Sequence, residues 1–203
     1  MAVAQTREKI LDAAESLFFG DGIAVTGVDR VAETAGVSVV TLYKHMGSKE
    51  GLLSEVLRRR LEEWDRVWQE CVSSTDDARA KVLAVFDAVV VFRSQAGATK
   101  WCTFLATASE RSSDDSAAAL VAADRDLLVQ RLSLLARDAD PDRAPVIVET
   151  TALLYNGVLA SLLRGAPHEA VEVARDTACL AFGWTDLARR AEVSGRPDVG
   201  AGV

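Results

Sequence analysis

The sequence predicts an all-α chain of about nine helices, with a three-helix helix-turn-helix domain first and a helical bundle after it. Three observations predict this. Apolar residues recur at three- and four-residue spacing along most of the 203 residues, without a convincing strand pattern or internal repeat. Pro, the residue that breaks helices, is scarce at four. Residues 26 to 46, TGVDRVAETAGVSVVTLYKHM, divide into two very short helical stretches around a tight turn at Ala35-Gly36-Val37.

In chain order, Ile10, Leu11, Ala14, Leu17 and Phe18 form one stripe of an amphipathic helix from about Thr6 to Phe19, stopped at Gly20-Asp21-Gly22. Thr26 is an N-cap candidate with Asp29 three residues on, and Val28, Val31, Ala32 and Ala35 face inward from the helix it would start. Gly36 supplies a positive φ for the turn. Ser38 caps the next helix, which turns Leu42 and one of Val39 or Val40 inward and Thr41, Tyr43, Lys44 and His45 outward. Two short helices joined this way form a helix-turn-helix, whose second helix lies in the DNA major groove. Ser48 caps a further helix carrying Leu52, Leu53, Val56, Leu57, Leu61 and Trp64, continuing to about Cys71.

After a loop and cap signal at Ser73-Ser74-Thr75-Asp76 comes a helix apolar nearly all round, Val82 to Phe92, broken at Gln95-Ala96-Gly97-Ala98. A short helix spans Lys100 to Glu110, a turn Ser112 to Asp115, and a long helix about Ser116 to Ala136. Beyond the polar link Asp138–Pro145, two helices run from about Pro145 to Leu163 and Glu169 to Arg190, parted by Arg164-Gly165-Ala166-Pro167. Residues 192–203 lack periodicity and are expected to form a disordered tail.

The pattern T-x-x-x-I-L-x-A-A-x-x-L-F at Thr6–Phe18, then G-V-D-R-V-A-x-x-A-G-V-S-x-x-T-L-Y-x-H at Gly27–His45, then S-K-E-x-L-L at Ser48–Leu53, resembles the N-terminal domain of the TetR (tetracycline repressor) family of bacterial transcription regulators. It covers nearly 50 residues in the family's order and spacing. The later part is similar only in helical pattern and length. The resemblance implies a DNA-binding domain at residues 1–50, with its motif at about 27–46, and an effector-binding and dimerisation domain at 51–191.

Composition bounds the function. The net charge is −7, but residues 1–60 hold eight Lys/Arg and eight Asp/Glu, so the rest carries the whole excess. A neutral head binds DNA only if its charges are sorted by face, with Lys44 and Lys49 on the reading side and Arg7 and Arg30 as candidates nearby. This balance favours specific binding with modest salt-driven background over a general nucleic-acid coat. No run of 18 apolar residues and no signal-peptide layout appears, so a cytoplasmic protein without membrane partner is expected. Cys71, Cys102 and Cys179 are widely spaced with no CxxC, which suits a reducing compartment and indicates neither a disulfide framework nor a metal site. G-x-S-x-G, P-loop, H-E-x-x-H and Rossmann glycine motifs are missing, and only two His are present. The expectation is a non-enzyme with no cofactor.

The candidate DNA contacts are Thr26, Gly27, Arg30, Ser38, Val39, Val40, Thr41, Tyr43, Lys44, His45 and Lys49. Val39, Val40, Thr41 and Lys44 form the base-facing set: methyls suit thymine, and Lys suits guanine. The matching Tyr in relatives donates to a phosphate, which Tyr43 is expected to do. Lys49 stands in the first turn of its helix, an unfavourable place for a cation unless a phosphate joins it. Relatives place a phosphate contact at the helix start, here Thr26 or Gly27, the latter through its N–H alone. Arg30 serves as a phosphate contact or as the partner of an acid, and His45 as a contact or as packing beside Met46.

Phe86, Phe92, Trp101, Cys102, Phe104 and Tyr155 are candidate lining for an effector pocket, although aromatics at helical spacing serve equally as core. Trp101 to Leu105 resembles the G-C-x-F segment of one regulator subgroup, with Trp where Gly is usual, which would reshape such a pocket. The last two helices are rich in small and aliphatic residues, compatible with core or with a four-helix dimer interface. The resemblance favours the dimer. The expectation is a homodimeric regulator on a palindromic operator, released by a small apolar ligand. The alternatives are a helical small-molecule binder or enzyme with a vestigial DNA-binding domain, or an architectural DNA-binding protein.

Overall fold

The structure, a computed structural model, describes residues 2–95, 103–110, 116–164 and 169–188. Among the described residues there is no strand, and the helices are α1 (Ala2–Gly20), α2 (Val28–Ala35), α3 (Val39–Met46), α4 (Lys49–Ser73), α5 (Ala78–Gln95), α6 (Thr103–Glu110), α7 (Ser116–Ala139), α8 (Ala144–Leu163) and α9 (Glu169–Phe182), with a further helical stretch at 185–188. The expected breaks at residues 96–98 and 112–115, most of the link 164–167, and the tail 192–203 lie outside the described residues. The chain groups into two compact units, residues 1–67 with 91–128, and residues 68–90 with 129–203.

In the first unit α1 packs on α2, and α2 on α3. The predicted inward stripes meet there: Ile10, Leu11, Ala14, Val31 and Leu42 are all 0 % exposed. α2 ends at Gly36, whose φ of 67° places it in the left-handed region, and Val37 N–H donates to the Ala32 carbonyl at 3.0 Å. This closure satisfies helix-end carbonyls and turns the chain sharply into α3. Between α3 and α4 the Met46 carbonyl lies so close to Gly51 that a Cβ there would clash with it. Ser48 caps α4 as expected, its Oγ accepting from Gly51 N–H at 3.0 Å.

An ion network ties α1 to α4. Arg59 donates to Asp12 and Glu15, each at 2.7 Å, and lies 3.1 Å from Glu8. Burial alone would lower the Arg59 pKa, but the hydrogen bonds to Glu15 and Asp12 outweigh it and hold the guanidinium charged. Arg60, with its side chain 4 % exposed, reaches Glu15 at 3.2 Å and Glu63 at 3.4 Å, and its guanidinium lies 4.3 Å from the Phe92 ring centre. Phe92 in turn meets Trp64 edge-on at 5.5 Å.

In the second unit Trp68, Leu83, Phe86, Leu132 and Ile147 are fully buried, and Arg131 lies over the Trp68 ring at 4.7 Å. The cap of α5 is Asp77, one residue after the expected cap signal. It accepts from Arg79 N–H at 2.9 Å and Ala80 N–H at 3.4 Å. Arg143 donates to the carbonyls of Phe182 and Ala181 at 3.0 and 3.1 Å, so a cation closes the C-terminus of α9. α9 stops at Phe182, and the chain is helical again at 185–188, so the expected helix is interrupted at Gly183-Trp184. Gly183 takes φ 74°, Trp184 N–H donates to the Cys179 carbonyl at 2.8 Å, and Trp184 packs edge-on against Phe182. α8, which packs on α9, is long and apolar enough by length and composition to cross a membrane, a property the sequence reading did not anticipate.

Candidate nucleic-acid interface

α3 is held by its first turn. Ser38 Oγ accepts from Thr41 N–H at 3.1 Å and lies 2.8 Å from Thr41 Oγ1, so one hydroxyl donates to the other. Leu42 and Met46 are buried and anchor the helix to the scaffold. Opposite them Val40 is 77 % and Tyr43 44 % exposed, and Lys44 is exposed beside them. Residues 40, 43 and 44 are three and four apart, so they share one face. Val39, Thr41 and His45 are half-buried at its edges, and Ser38 is exposed. The helix, VVTLYKHM, contains no carboxylate. The choice left open between Val39 and Val40 is thus resolved: Val39 leans to the scaffold and Val40 to solvent.

Thr26 requires a correction. Its side chain is 0 % exposed, with Oγ1 donating to the Gly22 carbonyl at 2.7 Å and lying 3.3 Å from that of Leu17. The hydroxyl pins the loop to the end of α1, and so neither caps α2 nor reaches a nucleic acid. The cap position falls to Gly27, exposed and extended at φ −80°, ψ 151°, with no side-chain cap.

The other cations are engaged. Arg30 lies 2.8 Å from Asp21, and Arg7 pairs with Glu55. Lys49 donates to the Ala24 carbonyl at 3.4 Å, with its ammonium 6.0 Å from the Phe18 ring centre. Lys44 has no ion pair among the described residues. The sequence reading missed Asp21 as the Arg30 partner, because Gly20-Asp21-Gly22 signals only a helix stop. It missed the Ala24 carbonyl because backbone acceptors in loops carry no residue signature.

Of the candidate pocket residues, Trp101 and Cys102 lie outside the described residues. Phe92 and Phe104 belong to the first unit, Phe86 and Tyr155 to the second, and within their units Phe86, Phe104 and Tyr155 are buried. A groove of about 410 Å³ is lined by Asp12, Glu15, Arg59, Arg60 and Glu63 among others, and one of about 500 Å³ by Val129, Arg137, Pro145, Val148 and Ala152 among others. Neither takes in the four described aromatics. Burial pushes the thiols of Cys71 and Cys179 up, away from reactive thiolate character. Among the described residues no group of three or more His, Cys, Asp or Glu is placed to hold a metal ion.

A capped eight-residue second helix, exposed on a three-helix scaffold in an all-α chain, defines a helix-turn-helix protein. Residues 10–56 match the family model described as bacterial regulatory proteins, tetR family. The HTH-type transcriptional repressor KstR2 of Rhodococcus jostii is 37 % identical over 79 residues, 39 % of this chain and 39 % of that protein. The HTH-type transcriptional activator FasR of Mycolicibacterium smegmatis is 32 % identical over 88 residues, 43 % of this chain and 40 % of that protein. The matches thus span about two fifths of these relatives. The crystal structure of SCO4454, a TetR-family transcriptional regulator from Streptomyces coelicolor, superposes with a TM-score of 0.80 over 91 % of this chain and 97 % of that one. At 21 % identity that likeness is one of fold.

Tyr43 is 44 % exposed on this face. If its hydroxyl meets a phosphate, Tyr43→Phe weakens duplex binding about threefold to tenfold on every sequence tested. Titrations on several duplexes check this; a changed base preference would contradict it.

Proposed function

We propose that the chain is a homodimeric, sequence-specific DNA-binding transcriptional regulator, a repressor released from a palindromic operator by a small apolar ligand. The observation that carries the reading is the exposed face of α3, where Val40, Tyr43 and Lys44 project together from a helix without carboxylates. In this reading residues 1–50 bind DNA, and residues 51–191 bind the effector and dimerise. Two copies of α3 enter successive major grooves, which requires half-sites about 34–36 Å apart. Bound ligand favours the mismatched spacing and so releases DNA. The protein works in the cytoplasm, where its DNA lies.

The outer faces of α8 and α9 support dimerisation. Val146 and Leu153 are 55 % and 74 % exposed and Val173 and Leu180 62 % and 69 %, each pair seven residues apart on one helix face. KstR2, a repressor, and FasR, an activator, leave the sign of regulation to be measured.

The test is binding of the full chain to duplexes selected from a random pool, with non-specific competitor. An enriched palindrome bound by a dimer supports the reading; no enrichment leaves the small-molecule binder with a vestigial DNA-binding domain. On the enriched duplex, Lys44→Ala is expected to reduce the slope of log affinity against log salt by about one unit if Lys44 meets a phosphate. An unchanged slope with relaxed selection at one base pair would instead make Lys44 a base reader.

A further inference from the structure

Resting on the DNA-binding reading, we propose that Val40 is a specificity-determining residue that recognises the C5-methyl group of one thymine in each half-site. The hydroxyls of the first turn of α3 are partly engaged. Ser38 Oγ accepts the Thr41 N–H, and the Ser38 and Thr41 hydroxyls lie 2.8 Å apart, one donating to the other. Val39 is half-buried. What the first turn extends outward is the isopropyl group of Val40, 77 % exposed at the second position of the helix, the end that approaches base edges in a helix-turn-helix. One turn on, Tyr43 and Lys44 share its face and suit phosphate or guanine.

The chemistry of the major-groove edge then narrows the partner. Guanine, adenine and cytosine present donors and acceptors there, and thymine alone adds an apolar group. An isopropyl group pressed against the edges of the other three bases strips water from polar atoms and returns no hydrogen bond. Against thymine it covers a methyl, and the apolar contact is favourable. The methyl is therefore the atom selected.

Deoxyuridine pairs as thymidine does and lacks only that methyl, so replacing thymines one at a time isolates it. The experiment uses the full chain and the duplex enriched from the random pool, with each thymine of a half-site replaced in turn by deoxyuridine. Binding is measured for the wild type and for Val40→Ala, whose exposed position leaves the core intact. One thymine per half-site is expected to lose about threefold to fivefold in wild-type affinity on replacement and nothing in Val40→Ala. Equal sensitivity of both proteins at every thymine, or an enriched half-site without thymine, overturns the assignment of Val40 while leaving DNA binding standing. Failure to enrich any duplex overturns the underlying reading and the assignment with it.

Discussion

Replacing Leu153 and Leu180 together by glutamate is expected to convert the proposed dimer to a monomer and to lower affinity for the selected duplex at least 100-fold. The two leucines are 74 % and 69 % exposed, on helices that pack on each other. Burying a leucine is worth roughly 1.5–3 kcal/mol, and a two-fold interface repeats each contact, so four leucines and then four carboxylates enter the balance. A dimer held by such contacts weakens by about 6 kcal/mol or more, roughly four decades in its dissociation constant. Operator affinity falls because a monomer binds each half-site without the effective concentration that the second head supplies. The monomer's own fold should survive, since neither side chain belongs to its core. Sedimentation before and after substitution, with duplex titration, checks both parts. A variant that remains dimeric would move the interface elsewhere, and the groove lined by Val129, Pro145 and Ala152 would then be the place to examine.

The helices were legible because each carries its own stripe and stop signal. Gly36 and Ser38 could be assigned from sequence because a left-handed turn and an N-cap each need particular residue types, and both act within five residues. Thr26 misled for the complementary reason. A threonine before an apolar run satisfies the local pattern, but Gly22 and Leu17 offered carbonyls from the preceding helix end, and a buried hydroxyl takes the partner that the fold brings near. The end of α9 was missed although Gly183 marks it. The apolar period continues through Trp184 and Leu187, both buried, and periodicity alone does not reveal a turn that keeps its side chains inward. In the candidate interface the exposed face of α3 was visible from spacing, whereas the engagement of Arg30 and Lys49 was not. Their partners, Asp21 and the Ala24 carbonyl, come from another segment of chain.

The same dependence on distant partners makes Arg60 the most consequential charge in the first unit, and Arg60→Ala is expected to destabilise the protein by about 2–4 kcal/mol. Its side chain is 4 % exposed, between Glu15 and Glu63 and against the Phe92 ring. Glu15, itself 13 % exposed, would keep Arg59 at 2.7 Å and lose the second guanidinium. The variant therefore combines a carboxylate left with half its compensation, a lost cation–π contact and a cavity where the arginine stem packed. Arg60→Lys should recover only part of the loss, because a point charge neither bridges two carboxylates as a planar fork does nor stacks on an aromatic face. Glu15→Gln in the Arg60→Ala background should recover stability by removing the charge left in excess, while Glu15→Gln alone should be destabilising. That reversal of sign separates an electrostatic role from packing, since a pure cavity would make the two substitutions additive. Urea denaturation of the four proteins measures it. A midpoint for Arg60→Ala equal to that of the wild type would mean that water replaces the guanidinium at no cost, and that α1 is held to α4 by its apolar contacts alone.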